Sequence, residues 1–219
     1  MSNPFTLAFG KSPLENIDRP VQKNEILESF DASPINQQIY MITGIRGSGK
    51  TVLMTDVSRR LRADDSWTVI ELNPETDMLH SFAAKLSRVE KFSETFRNAK
   101  INLSLLGLGL EMDGAAPIAD DETAISRMLE SISKKGNRVL VTVDEVTNNE
   151  NVRKFAAAFQ IFIRAELPVF LLMTGLYENI DDLRNQKSLT FLYRAPRVQL
   201  QPLNIPAMAS RYRGLFHME

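Results

Sequence analysis

The sequence contains no cysteine and only two histidines, His80 and His217, among its 219 residues. The absence of cysteine excludes disulfides, thiol catalysis and thiolate-bound zinc, and two histidines so far apart do not favour a zinc site. No apolar run approaches the roughly 20 residues that span a bilayer. The N-terminus lacks the charged region and apolar core of a signal peptide. We therefore expect a cytoplasmic protein that does not interact with a membrane.

An excess of charge of either sign is also missing. The chain has 26 basic and 27 acidic side chains, which give a formal net charge of −1. Such a balance supplies no overall attraction to nucleic acid or to an anionic membrane, so any contact with DNA must be local. An apolar content of 43% is sufficient for a buried core, and this length favours one large domain over two.

Apolar strand candidates alternate with amphipathic helix patterns along most of the chain. The strand candidates are Tyr40–Thr43, Trp67–Leu72, Val139–Val143, Val169–Thr174 and Arg197–Leu200. The helix patterns between them place apolar residues at intervals of three or four. This order predicts an α/β fold with a mainly parallel sheet.

The sequence pattern divides the chain into three parts with different predicted structures. Residues 1–35 predict an extended arm and a short helix, residues 36–206 form the core, and residues 207–219 are a C-terminal tail. Within the core, residues 90–121 are less regular because leucines are interleaved with serine and glycine. This pattern predicts a mobile insertion or a weak hairpin, which serves either as a surface loop or as an interaction surface.

One stretch matches the complete pattern G-x-x-x-x-G-K-[ST], the P-loop or Walker A motif. It lies between an apolar strand and an amphipathic helix, as the motif requires. The glycines let successive backbone N–H groups surround phosphates, while Lys50 would reach the β- and γ-phosphates and Thr51 would bind Mg²⁺. The predicted nucleotide-binding residues are Gly44, Ile45, Arg46, Gly47, Ser48, Gly49, Lys50, Thr51 and Val52.

A second motif follows the third strand candidate, where Asp144 and Glu145 end an apolar run in the manner of a Walker B motif. Carboxylates at the C-terminal end of a parallel strand face the ligand in open α/β folds. Asp144 would hold Mg²⁺ opposite Thr51, and Glu145 would polarise the attacking water as general base. With a complete P-loop upstream, the pair predicts a nucleotide-hydrolysing site.

Three further residues are candidates for catalysis. Thr174 ends the next strand, where its hydroxyl could hold the hydrolytic water or sense the γ-phosphate, or could simply be satisfied in a turn. Arg194 and Arg197 lie near the last strand and could act as arginine fingers on a neighbouring subunit, although most surface arginines have no such role.

With these motifs in place, the chain resembles bacterial AAA+ and STAND-type ATPases of the archaeal-ATPase and origin-recognition-like group. The resemblance extends to the opening Asn3-Pro4-Phe5-Thr6 and to the phrase from Ile42 through the P-loop to Leu53. In that group a Gly-Arg-(Asp/Glu) box helps to hold adenine, and here Ile17-Asp18-Arg19-Pro20 stands in its place without the glycine.

The resemblance implies a P-loop NTPase fold, a three-layer α/β/α sandwich whose five-stranded parallel sheet places the Asp144 strand beside the P-loop strand. It implies ATP and Mg²⁺ as cofactors of a switch that hydrolyses ATP slowly to ADP and acts within a homo-oligomer or on a protein partner. Relatives continue into a helical lid and often into a DNA-binding or other effector domain. We therefore expect a core truncated before its lid, with DNA binding dependent on an absent C-terminal domain.

Two other functions fit the same motifs. A P-loop kinase for small molecules would need lid arginines, for which 184–197 is the candidate segment, although Glu145 suits water activation better. A non-hydrolysing, nucleotide-gated interaction module would use ATP only to stabilise one conformation. GTP specificity is not expected, because the guanine motif Asn-Lys-x-Asp is absent from the sequence.

Overall fold

The computed structural model describes residues 19–109 and 114–202, and within them five strands form a single parallel sheet. In chain order the strands are β1 (Ile39–Gly44), β2 (Trp67–Leu72), β3 (Arg138–Val143), β4 (Val169–Gly175) and β5 (Arg197–Leu200). Their spatial order is β2-β3-β4-β1-β5. The predicted α/β fold with a five-stranded parallel sheet is confirmed. The arm up to residue 18 and the tail at 207–219 lie outside the described residues.

The strand order corrects one expectation, because the Asp144 strand β3 is not beside the P-loop strand β1. Strand β4 lies between them, paired with β1 from Ile39 opposite Leu171 and with β3 from Val139 opposite Val169. Every residue of β4 is buried, which is the pattern of a central strand covered on both faces. The end of β4 therefore lies between the P-loop and Asp144.

Seven helices in the described residues cover the two faces of the sheet. They are α1 (Pro20–Asp31), α2 (Lys50–Arg62), α3 (Met78–Ser87), α4 (Ser93–Asn98), α5 (Asp121–Ser133), α6 (Glu150–Arg164) and α7 (Tyr177–Arg184). Because side chains alternate along a strand, Tyr40 and Ile42 of β1 pack against α1 and α2, while Ile39 and Met41 belong to the core that α3 to α7 cover. The result is the three-layer α/β/α sandwich.

The described part of segment 90–121 does not form the weak hairpin that was one of its two predicted structures. Its described part contains α4 and short 3₁₀ turns at Glu90–Phe92 and Ser104–Leu106, and no strand. Ile101, Leu103 and Ile118 are at most 5% exposed and belong to the core beneath α3 and α5. Ile101, Leu103 and Ile118 therefore pack into the body of the domain, whereas Leu105 is 65% exposed.

The α6 side of the core gives a first test of the packing. Phe162 is fully buried, so Phe162→Ala should lower the free energy of unfolding by about 3–5 kcal/mol through lost contacts and a cavity. The neighbouring Ile161 is 45% exposed, and Ile161→Ala should cost about 1 kcal/mol or less. Urea titrations can follow unfolding by the fluorescence of Trp67. This residue is the only tryptophan of the chain and lies in the core on the opposite face of the sheet. Equal losses in the two variants would contradict this packing.

Candidate functional site

The P-loop connects the end of β1 to the start of α2 and depends on its glycines. Gly47 and Gly49 have φ angles of 76° and 88°, in the left-handed region that other residues rarely adopt. At Gly44 the reason is space, because an added Cβ would lie 2.5 Å from Ser48 Oγ and 2.7 Å from the carbonyl oxygen of Leu200. The loop is thus held in a tight curve above the edge of the sheet.

Lys50 begins α2 and is buried within the curve of the P-loop. Its Nζ donates hydrogen bonds to the carbonyl oxygens of Gly44 and Ile45, each at 2.9 Å. Burial lowers the pKa of the Lys50 ammonium, while the nearby carboxylates of Glu145 and Asp144 raise that pKa. The ammonium group therefore lies between the loop backbone and two acidic side chains.

The hydroxyl of Thr51 meets the carboxylate of Asp144 across the strand that separates them in the sheet. Thr51 Oγ1 lies 2.9 Å from Asp144 Oδ2 and 3.2 Å from Oδ1. This contact brings together two residues 93 positions apart in sequence, and the sequence predicted both as metal ligands.

Thr174 is fully buried beneath this pair. Its hydroxyl donates to Asp144 Oδ1 and accepts a hydrogen bond from the backbone N–H of Glu145 at 3.0 Å. One hydroxyl thus fixes the carboxylate of Asp144 and the backbone of Glu145 together. The sequence left open whether the Thr174 hydroxyl holds water, senses the γ-phosphate or is satisfied in a turn, and the structure places this hydroxyl against the two acidic residues.

Glu145 has an unusual backbone for a residue with a side chain, with φ of 53°. A non-glycine residue in this region costs about 1–3 kcal/mol and is found preferentially at functional sites. Hydrogen bonds from its N–H to Thr174 and to Asp144 Oδ1, the latter at 3.2 Å, hold the backbone in place. The side chain is exposed and faces the cavity beside the P-loop.

That cavity has a volume of about 680 Å³ and is open to solvent. Of the predicted site residues, Arg46, Gly47, Gly49, Lys50, Thr51, Val52 and Glu145 line it. The sequence did not single out four others that line it, namely Thr147, Gly175, Leu176 and Asn179. Their position after β3 and β4 is the available signal, because the C-terminal ends of parallel strands gather at one edge of the sheet.

Arg19 is a further residue that the sequence did not assign to the P-loop. Its Nη2 donates to the carbonyl oxygen of Ser48 at 3.0 Å and to that of Gln201 at 2.7 Å. Burial lowers the pKa of this guanidinium. Arg19 belongs to the segment expected to help hold adenine, and here its side chain binds the backbone of the phosphate loop. Residues 17 and 18 lie outside the described part of the chain.

The two arginine-finger candidates lie away from this cavity. Arg197 is opposite Met41 in the sheet, three residues before the end of β1, and its Nη1 is ion-paired with Asp181 at 2.7 Å. Arg194 is exposed in the 3₁₀ segment before β5. Any action of either residue on a neighbouring subunit stays a prediction.

Most of this chain matches a known protein family. The family described as an ATPase domain predominantly from Archaea matches residues 17–168, more than half of the chain. The chain belongs to this ATPase family. No curated protein matches the sequence.

Solved structures of Cdc6, ORC and DnaA proteins share the fold of this ATPase domain. Cdc6p from Pyrobaculum aerophilum has a TM-score of 0.57 at 10% identity, covering 90% of this chain and 48% of that chain. The ORC1 protein of Aeropyrum pernix, solved in complex with DNA, has a TM-score of 0.57 at 15% identity, with coverages of 90% and 49%. AMPPCP-bound DnaA from Aquifex aeolicus has a TM-score of 0.50 at 13% identity, with coverages of 98% and 55%. The chain spans about half the length of these proteins and shares their fold over the part that is covered. In its described residues, no helix has the length and apolarity needed to cross a membrane.

Proposed function

We propose that this domain is a cytoplasmic, Mg²⁺-dependent ATP-binding switch that hydrolyses ATP slowly. The contact between Thr51 and Asp144 carries the proposal, because it joins the end of the P-loop to the end of β3. Glu145 faces the same cavity as the P-loop. Phosphate binding, metal binding and water activation would thus converge on one place.

The P-loop backbone N–H groups and the N-terminus of α2 would bind the phosphates, because both present partial positive charge. Lys50 would exchange its hydrogen bonds to the carbonyls of Gly44 and Ile45 for charge-assisted bonds to phosphate oxygens. Glu145 would accept a proton from the attacking water as the water oxygen bonds to the γ-phosphorus. The bond to the bridging oxygen then breaks, and ADP and phosphate are the products.

The residues at the metal position fit Mg²⁺. A hydroxyl and a carboxylate are the hard oxygen donors that this ion prefers, and Thr51 and Asp144 place them 2.9 Å apart. Mg²⁺ would there neutralise part of the phosphate charge. Thr174, hydrogen-bonded to Asp144, would keep that carboxylate oriented toward the ion.

The kinase alternative is disfavoured by the arginines of segment 184–197. Arg184 and Arg197 both lie near Asp181, at 3.9 and 2.7 Å, and Arg184 stacks over the ring of Tyr193. Within the described residues, no part of this segment lines the cavity. A lid that uses Arg184 or Arg197 in phosphoryl transfer would require these contacts to break.

Calorimetric titration of ATP and GTP, with Mg²⁺ or with EDTA, tests the proposal together with a phosphate-release assay. We expect ATP to bind more tightly than GTP, Mg²⁺ to strengthen ATP binding, and phosphate to be released slowly. Transfer of phosphate to nucleosides or cofactor precursors would favour the kinase instead. A folded domain that binds neither nucleotide would overturn the proposal.

Thr174→Val tests the link between the hydroxyl and the two acidic residues. The variant leaves the Glu145 N–H without its hydroxyl acceptor and releases Asp144, so kcat should fall about 10- to 100-fold. Thr142→Val is the matched control, because Thr142 is also a buried threonine of the sheet and its hydroxyl has no partner in the described structure. Thr142→Val should leave phosphate release unchanged. Equal rates in both variants would remove Thr174 from the site.

The proposal also includes the finer assignments from the sequence. We place the domain with bacterial STAND-type ATPases, supported by the sequence around the P-loop. A homo-oligomer or a protein partner would read its nucleotide state. The DNA complex of the Aeropyrum pernix ORC1 protein makes DNA a partner to test with a longer chain.

A further inference from the structure

Arg46 is the arginine of the described residues that lines the cavity beside the P-loop. Its side chain is exposed, it lines the cavity beside the P-loop, and within the described residues it has no hydrogen bond or ion pair. By contrast, Arg59, Arg62, Arg138 and Arg197 are each paired with a carboxylate. Arg46 is therefore an uncompensated cation in the cavity wall.

The electrostatics of this wall favour an anion between Arg46 and Lys50. Arg46 and Lys50 are two cations that line the same cavity. An anion bound between them would relieve their mutual repulsion, and phosphate oxygens accept the two parallel N–H groups of a guanidinium. Gly47, the next residue, has nothing within 4 Å of an added Cβ, so space is open beside Arg46.

We infer that Arg46 is a catalytic residue that acts within its own chain, contacting the terminal phosphate of bound ATP from the P-loop side. This inference rests on the proposed ATPase function. As the water oxygen bonds to the γ-phosphorus and its proton passes to Glu145, the bond to the β–γ bridging oxygen breaks and ADP leaves with the electron pair. The guanidinium stabilises negative charge on the γ-phosphoryl oxygens during this step.

The same charge is often supplied by an arginine from a second protein. Arg197, one of the two finger candidates, is instead held by Asp181 near the start of β5. With Arg46 at the cavity, each chain would supply the positive charge that its own bound γ-phosphate needs. Phosphate release per molecule should then be independent of protein concentration.

The test compares Arg46→Ala, Arg46→Lys and a matched control, Arg60→Ala. Arg60 is an exposed arginine ten residues beyond Lys50 on α2, about 15 Å along the helix axis, and it lies outside the cavity. Because Arg46 is exposed, its variants should fold, which the urea midpoint of Trp67 fluorescence verifies. We expect kcat to fall about 10²-fold in Arg46→Ala, partial activity in Arg46→Lys, and wild-type activity in Arg60→Ala.

Binding of ADP with Mg²⁺ and aluminium fluoride, which mimics the phosphoryl group in transfer, supplies a second measurement that needs no turnover. Aluminium fluoride should tighten ADP binding in wild type and in Arg60→Ala, but not in Arg46→Ala, while ADP alone binds all three equally. If Arg46→Ala kept the wild-type kcat and aluminium fluoride still tightened its ADP binding, this inference would be overturned and the ATPase proposal would stay intact. A rate per molecule that rises with protein concentration would likewise overturn it in favour of a neighbour's arginine. Absence of all nucleotide binding in wild type would overturn both.

Discussion

Lys50→Ala is expected to weaken MgATP binding about 10²- to 10⁴-fold. Lys50 lies inside the P-loop, where its ammonium makes two hydrogen bonds to loop carbonyls that phosphate oxygens would replace. Hydrogen bonds to charged groups contribute about 1.5–3 kcal/mol each, and loss of two such bonds to phosphate gives this range. Calorimetry with ATP and Mg²⁺ measures the loss directly.

Lys154→Ala is the control for a general effect of removing a lysine. Lys154 is exposed on α6, where it pairs with Glu150 at 2.8 Å, so its loss should leave ATP affinity unchanged. The urea midpoint of Lys50→Ala shows whether the buried change also affects folding. Wild-type affinity in a folded Lys50→Ala protein would exclude the P-loop as the phosphate site.

Glu145→Gln should lower kcat about 10²- to 10⁴-fold while ATP affinity stays near that of wild type. The amide has nearly the same size as the carboxylate but cannot accept the proton of the attacking water. Phosphate release under single-turnover conditions measures the effect. If wild type itself releases no phosphate while binding ATP tightly, the non-hydrolysing interaction module becomes the better function.

The chain offers a close control for this variant. Glu166 is also exposed and also has a left-handed backbone, with φ of 54°, but it lies beyond the end of α6, outside the cavity. Glu166→Gln repeats the chemical change in the same backbone conformation, so it should leave kcat unchanged. A similar loss in both variants would mean that Glu145 acts on folding and not on the reaction.

Sequence alone predicted the local parts of this site. The P-loop is one contiguous stretch between a strand and a helix, and the Asp144-Glu145 pair ends an apolar strand, so short-range patterns are sufficient to find both. The contact between Thr51 and Asp144 followed from the rule that the carboxyl ends of parallel strands lie at the same edge of the sheet. Periodicity likewise predicted the five strands, because β1 to β4 are mainly apolar runs and β5 alternates polar with apolar residues.

The lateral order of the strands was not accessible in this way. Strand composition shows that β4 is buried on both faces but does not name its neighbours, so its place between β1 and β3 had to come from the structure. Local composition also does not decide where α3 begins. Asn73-Pro74-Glu75 has the composition of a helix start, yet Asn73 accepts a hydrogen bond from the Glu75 N–H in a turn, and the helix begins at Met78 with Asp77 as its N-cap.

Segment 90–121 and Arg19 were missed because their contacts are distant in sequence. Leucines that alternate with small residues suit a hairpin as well as a coil that packs under helices, and only the neighbouring α3 and α5 decide between them. Arg19 reaches partners 29 and 182 residues away. No local pattern encodes such a contact.

The bridging guanidinium of Arg19 also relates the nucleotide loop to the rest of the polypeptide. Arg19 directly precedes α1 and Gln201 directly follows β5, and they lie close enough for the Arg19 side chain to bind Gln201 and Ser48 together. A displacement of Arg19 or Gln201 would therefore shift the backbone of the phosphate loop. A shift of that loop would in turn displace both residues. Arg19 would thereby couple the positions of the residues next to α1 and β5 to nucleotide occupancy of the cavity.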